Sequence, residues 1–204
     1  MTIHARTATH LGRPENMNAC LRFLRDDVVP TILSMPRCVG LSVLADHRSG
    51  LCIITTAWET SEAMHASVAR IRPLRDQTSK IMHSSVDLEE WQIAAMHRKH
   101  PAGTPVGAQV TWLRVDPGDT DAMIDDYVRH TQPALDAIRG FCSASLLVNR
   151  EWGRAAITVS YDNPDAMTRF RRADGRTTLG TDIIKVRDFD HVMPHLRVPD
   201  LASY

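Results

Sequence analysis

Apolar positions along the chain recur in two periods. Cys20, Leu21, Leu24, Val28 and Ile32 fall at helical spacing and predict a helix with one buried face. Leu51 to Trp58 is instead a run of apolar, β-branched and aromatic residues, which predicts a strand. Thr60 then serves as an N-cap with Glu62 in the first turn, and Ala63, Met64, Ser67 and Val68 form the inner face of a short second helix. Strands over Ile3 to Leu11, Gly40 to Ala45 and Val86 to Ile93 complete a unit ordered strand, helix, strand, strand, helix, strand.

A shift of 103 residues repeats this pattern: Pro14 falls on Pro117, Pro30 on Pro133, Gly50 on Gly153, Thr55 on Thr158, and Ala63 and Met64 on Ala166 and Met167. Gly40 meets Gly140 after a slip of three residues. Met123, Ile124, Tyr127, Thr131 and Leu135 take the places of the first helical stripe, and Arg154 to Tyr161 those of the strand. Asn163 caps the next helix, with Pro164 at its first position. Val106 to Val115, Gly140 to Asn149 and Asp182 to Asp188 supply the flanking strands. Pro30 and Pro133 lack an amide hydrogen, so the first helix of each half is expected to kink or end at Val29 and Gln132.

The expected fold is therefore α+β: two ferredoxin-like βαββαβ repeats, residues 1–97 and 106–204, joined by a polar linker at 98–105 that contains Pro101, Gly103 and Pro105. Helices on one side leave the other face of each four-stranded sheet bare. Cys52, Ile54, Thr56 and Trp58 alternate with Ile53, Thr55 and Ala57, so neither face of that strand suits water. Two such antiparallel sheets in one chain are expected to pack together as an intrachain dimeric α/β barrel, either as a monomer with an internal pseudo-dimer or as a homodimer.

Charge and composition narrow the function. The chain has 204 residues, and its 24 Lys and Arg balance 24 Asp and Glu. No basic field draws it to nucleic acid or to an anionic membrane. A tandem RNA-binding reading also fails, because Leu51 to Ala57 offers neither stacking aromatics nor basic residues. Cys20, Cys38, Cys52 and Cys142 form no Cys-x-x-Cys pair and read as reduced core residues. Without a signal-like leader or a run of about eighteen apolar residues, the expected location is the cytoplasm. No metal site is expected: Pro194 spoils a helix carrying His191 and His195, and His97 and His100 fall in the linker. No glycine-rich nucleotide loop, phosphate-binding loop or nucleophile elbow occurs.

Thr55-Thr56-Ala57-Trp58-Glu59-Thr60-Ser61-Glu62-Ala63-Met64, after Pro36-Arg37-Cys38-Val39-Gly40-Leu41, resembles the signature of the antibiotic biosynthesis monooxygenase domains of the dimeric α/β barrel superfamily. Arg139-Gly140-Phe141 and Thr158 to Met167 look like a diverged copy. The resemblance implies a cofactor-independent monooxygenase acting on a small aromatic or polycyclic phenol or quinol-type substrate in a pocket between sheet and helices. The alternative is a non-catalytic protein of the same class that holds an apolar ligand or a partner. Haem degradation is disfavoured: the positions where relatives of that activity carry Asn, Trp and His are Thr9 or Trp112, Ser67 or Phe170, and Asp76 or Leu179.

A cofactor-free oxygenase needs a dry pocket, a group to accept a phenolic proton, and donors for the resulting anion. Arg6 and His10, on one face of the first strand, and His83 are the catalytic candidates. Trp58, Trp112, Tyr161 and His65 are the substrate-binding candidates, with Trp58 and Tyr161 also readable as aromatic plugs at strand ends. Arg72 and Arg75, with Arg171, Arg172 and Arg176, read as anion clamps or as solvated surface. The first half keeps the Trp-Glu-x-x-Glu-Ala pattern and is the expected active half, whereas bulky Trp112 and Phe170 fill the cavity of the second.

Residues 1–97 expressed alone are expected to self-associate or aggregate through the uncovered sheet face. A stable, well-folded monomer in analytical ultracentrifugation would contradict this.

Overall fold

A computed structural model describes residues 2–99, 105–173 and 181–196. The chain forms two compact units. The first runs to Trp91 and takes in the late strand His191–Leu196; the second runs from Gln92 to Phe189.

In the first unit β1 (Ile3–Leu11), β2 (Cys38–Asp46) and β3 (Leu51–Trp58) pair antiparallel, with His10 opposite Cys52, Ala8 opposite Ile54 and His4 opposite Trp58. β4 (Val86–Arg98) flanks β1, and β9 (His191–Leu196) pairs with β2, giving the order β4-β1-β3-β2-β9. Cys52, Ile54 and Trp58 of β3 and Leu41, Val43 and Ala45 of β2 share one face. They pack against Met17, Cys20, Leu24, Val28 and Ile32, which is the stripe expected of the first helix. The opposite face, carrying Ala5, Thr7, Leu44 and Ile53, is buried as well.

The prolines do not end the helices. α1 (Met17–Phe23) passes through a π-type turn, Leu24–Val28, into α2 (Val29–Leu33). Pro30 cannot donate to Asp26, and the chain widens by one residue so that the Val29 amide donates to the Leu24 carbonyl. The helix therefore continues past the proline instead of ending at Val29. α5 (Thr120–Asp126), the turn Tyr127–Thr131 and α6 (Gln132–Asp136) repeat the arrangement, with the Gln132 amide on the Tyr127 carbonyl.

The second helix is longer than expected. Thr60 Oγ1 accepts from the Ala63 amide at 3.2 Å and starts α3 (Ser61–Ala66), but after Ser67 the chain continues as α4 (Val68–Met82) with Pro73 inside it. Most of α4 is charged or polar, and Ile71, Leu74, Thr78, Ile81 and Met82 mark a narrow inner stripe. The expected helix at Ala63 to Val68 captured only its beginning.

In the second unit β5 (Gly107–Val115), β6 (Phe141–Asn149), β7 (Arg154–Tyr161) and β8 (Thr181–Phe189), with the Gln92–Arg98 part of β4, give the order β8-β5-β7-β6-β4. Asn163 Oδ1 accepts from the Ala166 amide at 2.8 Å and caps α7 (Pro164–Ala173). Each unit thus has the expected ferredoxin-like order, with one added edge strand.

The boundary between units differs from the expected one at 98–105. It falls inside β4, because this strand is 13 residues long and its latter part pairs with β6, Arg98 lying opposite Ser143. The Lys99 amide still donates to the Cys142 carbonyl at 3.0 Å, and 100–104 lie outside the described residues. Strand β9 was not expected; its Pro194 is tolerated on the outer strand of the sheet, where one amide goes unused.

Gly50 and Gly153, identical in the two repeats, explain part of the repeat physically. Both have positive φ, +72° and +56°. A Cβ on Gly50 would meet the Gly12 carbonyl oxygen, and one on Gly153 the Val115 carbonyl oxygen. Gly50→Ala and Gly153→Ala are each expected to lower stability to urea by about 1–3 kcal/mol. Gly118→Ala, where an added Cβ meets nothing within 4 Å, is expected to change it by less than about 0.5 kcal/mol.

Candidate functional site

The first unit encloses a cavity of about 430 Å³, its open mouth included, between sheet and helices. Ala8 of β1 and Ile54 of β3 form its sheet side, Val28 and Ile32 one helical wall, and Ile71 and Leu74 of α4 the other. The wide turn before Pro30 positions Val28, and the unexpected length of α4 supplies the second wall. Four polar side chains break this apolar lining: Arg6, Thr56, Arg75 and Thr78.

Arg6 is fixed. Its Nε and Nη2 donate to Glu90 Oε1 at 3.1 and 2.6 Å, and its Nη1 to the Met64 carbonyl at 3.2 Å. The other Glu90 oxygen lies 3.0 Å from His65 Nε2. Partial burial works against ionisation of Glu90, but the hydrogen bonds from Arg6 and His65 outweigh it and hold the carboxyl below the ordinary glutamate value. Arg6 therefore lines the cavity with its charge already compensated. His65 is more than half exposed, does not line the cavity, and orients the far side of Glu90. Thr56 Oγ1 donates to the Arg6 carbonyl at 3.3 Å and accepts from Trp58 Nε1 at 3.1 Å. Trp58 is thereby held wholly inside the core, as the plug reading had it.

Arg75 presents the opposite case. It reaches the cavity from α4, its Nε is buried without a hydrogen-bond partner, and among the described residues no carboxylate lies within ion-pair distance of it. Its neighbour Asp76 is engaged by Arg72, which is exposed and outside the cavity.

His10 is fully buried on the same face of β1 as Arg6 and Ala8, behind the cavity lining. Its Nδ1 lies 3.2 Å from Ser84 Oγ and 3.4 Å from Ser79 Oγ, while Nε2 has no partner among the described residues. Burial, and then the nearby Arg75 charge, push its pKa down to about 4. At neutral pH the ring is uncharged and a weak base. His83, the third catalytic candidate, is an exposed helix cap with φ of 50°, its amide on the Lys80 carbonyl, and it does not line the cavity. Histidine tolerates that left-handed position better than most residues, which gives it a structural role.

The second unit replaces these groups. Gln109 and Leu113 occupy the positions of Arg6 and His10, and Gln109 Nε2 donates to Asp188 Oδ1 at 2.9 Å. Tyr127 stands where the first unit has Leu24; its ring is buried with Leu113 and Val148, and burial pushes its hydroxyl pKa up. Trp112 does not fill a cavity under the helices: Leu113 and Val115 face them, so Trp112 is on the other face of β5, with Lys185 Nζ 5.6 Å from the ring centroid. Tyr161 is buried among Leu135, Phe141 and Ala166. Neither Trp112 nor Tyr161 joins Arg6 and His10. The side chains of Phe170, Arg171, Arg172, His191 and His195, and residues His100, Arg176 and Leu179, lie outside those described.

The residue pattern alone gives no place to Glu90 and leaves Arg75 as an anion clamp or as solvated surface. The signal for Arg75 was present: it lies four residues after Ile71 and three before Thr78, next to the apolar stripe of α4. Among the described residues no three His, Cys, Asp or Glu side chains are grouped to hold a metal ion, and no helix is long and apolar enough to cross a membrane.

The buried neutral His10 makes folding depend on pH. The unfolded chain takes up a proton near pH 6.5 and the folded chain only near 4, so this contribution is complete above pH 6.5 and is lost as pH falls toward 4. The loss is up to about 3 kcal/mol. Urea unfolding of the native chain and of His10→Gln across this range should give curves that converge toward acid pH; parallel curves would show that His10 is charged or solvated.

No protein-family model matches the chain. Uncharacterized protein Rv2557 of Mycobacterium tuberculosis (strain H37Rv) is 38% identical over 206 residues, spanning 98% of this chain and 92% of its own. Uncharacterized protein Rv2558 of the same strain is 38% identical over 207 residues, spanning 98% and 88%. Among solved structures, a provisionally named monooxygenase from Lactobacillus acidophilus superposes with a TM-score of 0.65 at 8% identity, over 95% of this chain and 97% of that one. An anthrone oxidase-like protein gives 0.62 at 13% identity, over 100% and 96%. A monooxygenase-like protein from Listeria innocua gives 0.51 at 7% identity, over 98% and 96%. At these identities the structural likeness speaks for the fold alone. The chain belongs to the family of the Mycobacterium tuberculosis proteins Rv2557 and Rv2558, and its fold is similar to that of these solved monooxygenase-like proteins.

Proposed function

We propose that the chain is a cofactor-independent monooxygenase that acts on a small aromatic phenol or quinol-type substrate in the cavity of the first unit. The observation that carries this reading is an apolar cavity between sheet and helices with a guanidinium in its wall. An apolar lining suits an aromatic ring and excludes the water that would compete for a reactive anion. A cation at Arg75 favours the ionised phenol, and the ionised ring is the form that gives electrons to O2. The overall change balances as a phenol plus O2 giving a quinone plus water. One oxygen atom becomes the new ring carbonyl, the ring carbon and the hydroxyl each lose a hydrogen, and the second oxygen leaves as water. The partner in this reading is a small molecule, with no nucleic acid or membrane involved.

A second reading, a binding protein that holds an apolar ligand without reaction, is favoured by the state of His10. This ring is a weak base and lies behind the lining, so the residues that line the cavity include no ready proton acceptor.

The test is oxygen uptake with anthrone or 1,4-dihydroxynaphthalene in the absence of metal, flavin or haem, corrected for autoxidation. Oxygenase action is expected to consume one O2 per substrate, and Ala8→Phe, which fills the cavity, is expected to lower the rate at least about tenfold. Tight binding of the same compounds with no uptake above background would establish the second reading instead.

A further inference from the structure

The first unit buries two nitrogen atoms that have no hydrogen-bond partner, Arg75 Nε in the cavity wall and His10 Nε2 behind it. A buried donor without a partner is costly, and the carboxylates in the ion pairs of this unit are engaged by other groups. Glu90 is held by Arg6 and His65, Asp76 by Arg72, and Asp26 by Arg25. Arg75 is thus a donor without an acceptor, facing a space walled by Val28, Ile54 and Leu74.

We propose that the cavity takes small apolar acids as their anions, with the ligand oxyanion seated at Arg75, and that His10 takes up a proton as the anion binds. The inference rests on the cavity being the ligand site and goes beyond the oxygenase reading, because the shared chemistry is an oxyanion on an apolar body and includes carboxylates as well as phenolates.

The groups that face His10 determine the second half of the proposal. From α4 come Arg75 and the Ser79 hydroxyl, and from the turn after it the Ser84 hydroxyl. Directly across from it on β3 is Cys52, whose thiol contacts Cys20 of α1 and is held in its neutral form by that contact and by burial. Arg6 and Ala8 share its face of β1, and the charge of Arg6 is compensated by Glu90. Arg75 is therefore the one charge acting on the ring, and it acts against the imidazolium. An anion seated at Arg75 cancels that field, and His10 and the ligand become thermodynamically linked. The protons balance in either case. A phenol gives up its own proton as His10 gains one, so little is exchanged with the buffer. A carboxylic acid is already ionised in water, so the proton for His10 comes from the buffer.

The test uses 2-naphthoate, 2-naphthol and naphthalene as probes in calorimetric titrations at pH 5.5, in two buffers of different ionisation heat. The native chain is expected to bind 2-naphthoate at least about tenfold more tightly than naphthalene, since a charge-assisted hydrogen bond is gained. Binding should draw a measurable fraction of a proton from the buffer. 2-Naphthol is expected to bind with the absorbance of its anion and with little net proton exchange. Arg75→Gln should lose the preference for 2-naphthoate and keep naphthalene binding, Arg75→Lys should keep the preference, and His10→Gln should keep the preference without the proton uptake. Equal affinity of the native chain for 2-naphthoate and naphthalene overturns the anion site while leaving the cavity intact. Preference without proton uptake overturns the role of His10. If none of the three probes binds, the cavity is not a ligand site, and the oxygenase reading falls with it.

Discussion

Pro30 and Pro133 have no amide hydrogen to give to the carbonyl four residues earlier, and each first helix must pass this gap without losing its grip on the sheet. Both do so by opening one turn, so that the Val29 amide reaches Leu24 and the Gln132 amide reaches Tyr127. Had the helix stopped at Val29, Ile32 would have left the core that it now shares with Leu41 and Trp58. The wide turn keeps Leu24, Val28 and Ile32 on the sheet, and Val28 and Ile32 then serve as one wall of the cavity. Wide turns of this kind are common at functional sites, and here the missing proline amide is reason enough, because the second unit keeps the turn as well.

The electrostatics of the cavity follow from which cations meet carboxylates. Arg6 and Arg75 both enter an apolar space, but β4 brings Glu90 to Arg6 and nothing comparable reaches Arg75 among the described residues. The first guanidinium becomes part of the wall, tied to Met64 and Glu90. The second keeps its field, which adds to burial in depressing the basicity of His10. A histidine on the first strand looks like a general base when only residue types are considered. Buried, and beside an uncompensated arginine, it is a neutral ring at neutral pH.

How much was legible in the chain depends on whether a feature is local. The strands and the first helix are written in apolar alternation and in a helical stripe, and the caps at Thr60 and Asn163 in residue type, so these elements fell where expected. α4 was missed beyond Val68 because charged residues outnumber its apolar stripe and Pro73 lies within it. β9 was missed because Pro194 argues against a strand until its place at a sheet edge is known. Arg6 was legible from its strand face, but its partner Glu90 is 84 residues away and meets it only through folding. Trp112 was misplaced because adjacent strand residues face opposite ways, and Leu113 is the one that faces the helices. His83 looked chemical by residue type, and its left-handed backbone makes it a cap.

The two halves show what duplication permits. A chain that builds its fold from two identical copies must carry every substitution in both sites, whereas two copies in one chain vary independently. Here the features retained in both halves concern the backbone: the proline with its wide turn, the left-handed glycine before the third strand, and the capped second helix. The features that differ are the ones a ligand would meet, Arg6 against Gln109, His10 against Leu113, and Leu24 against the bulkier Tyr127. Substitution at such positions leaves the strands and turns in place, because none of those side chains sets the backbone. The second half thus keeps this backbone geometry without those charges, and the first half holds a charged space between sheet and helices.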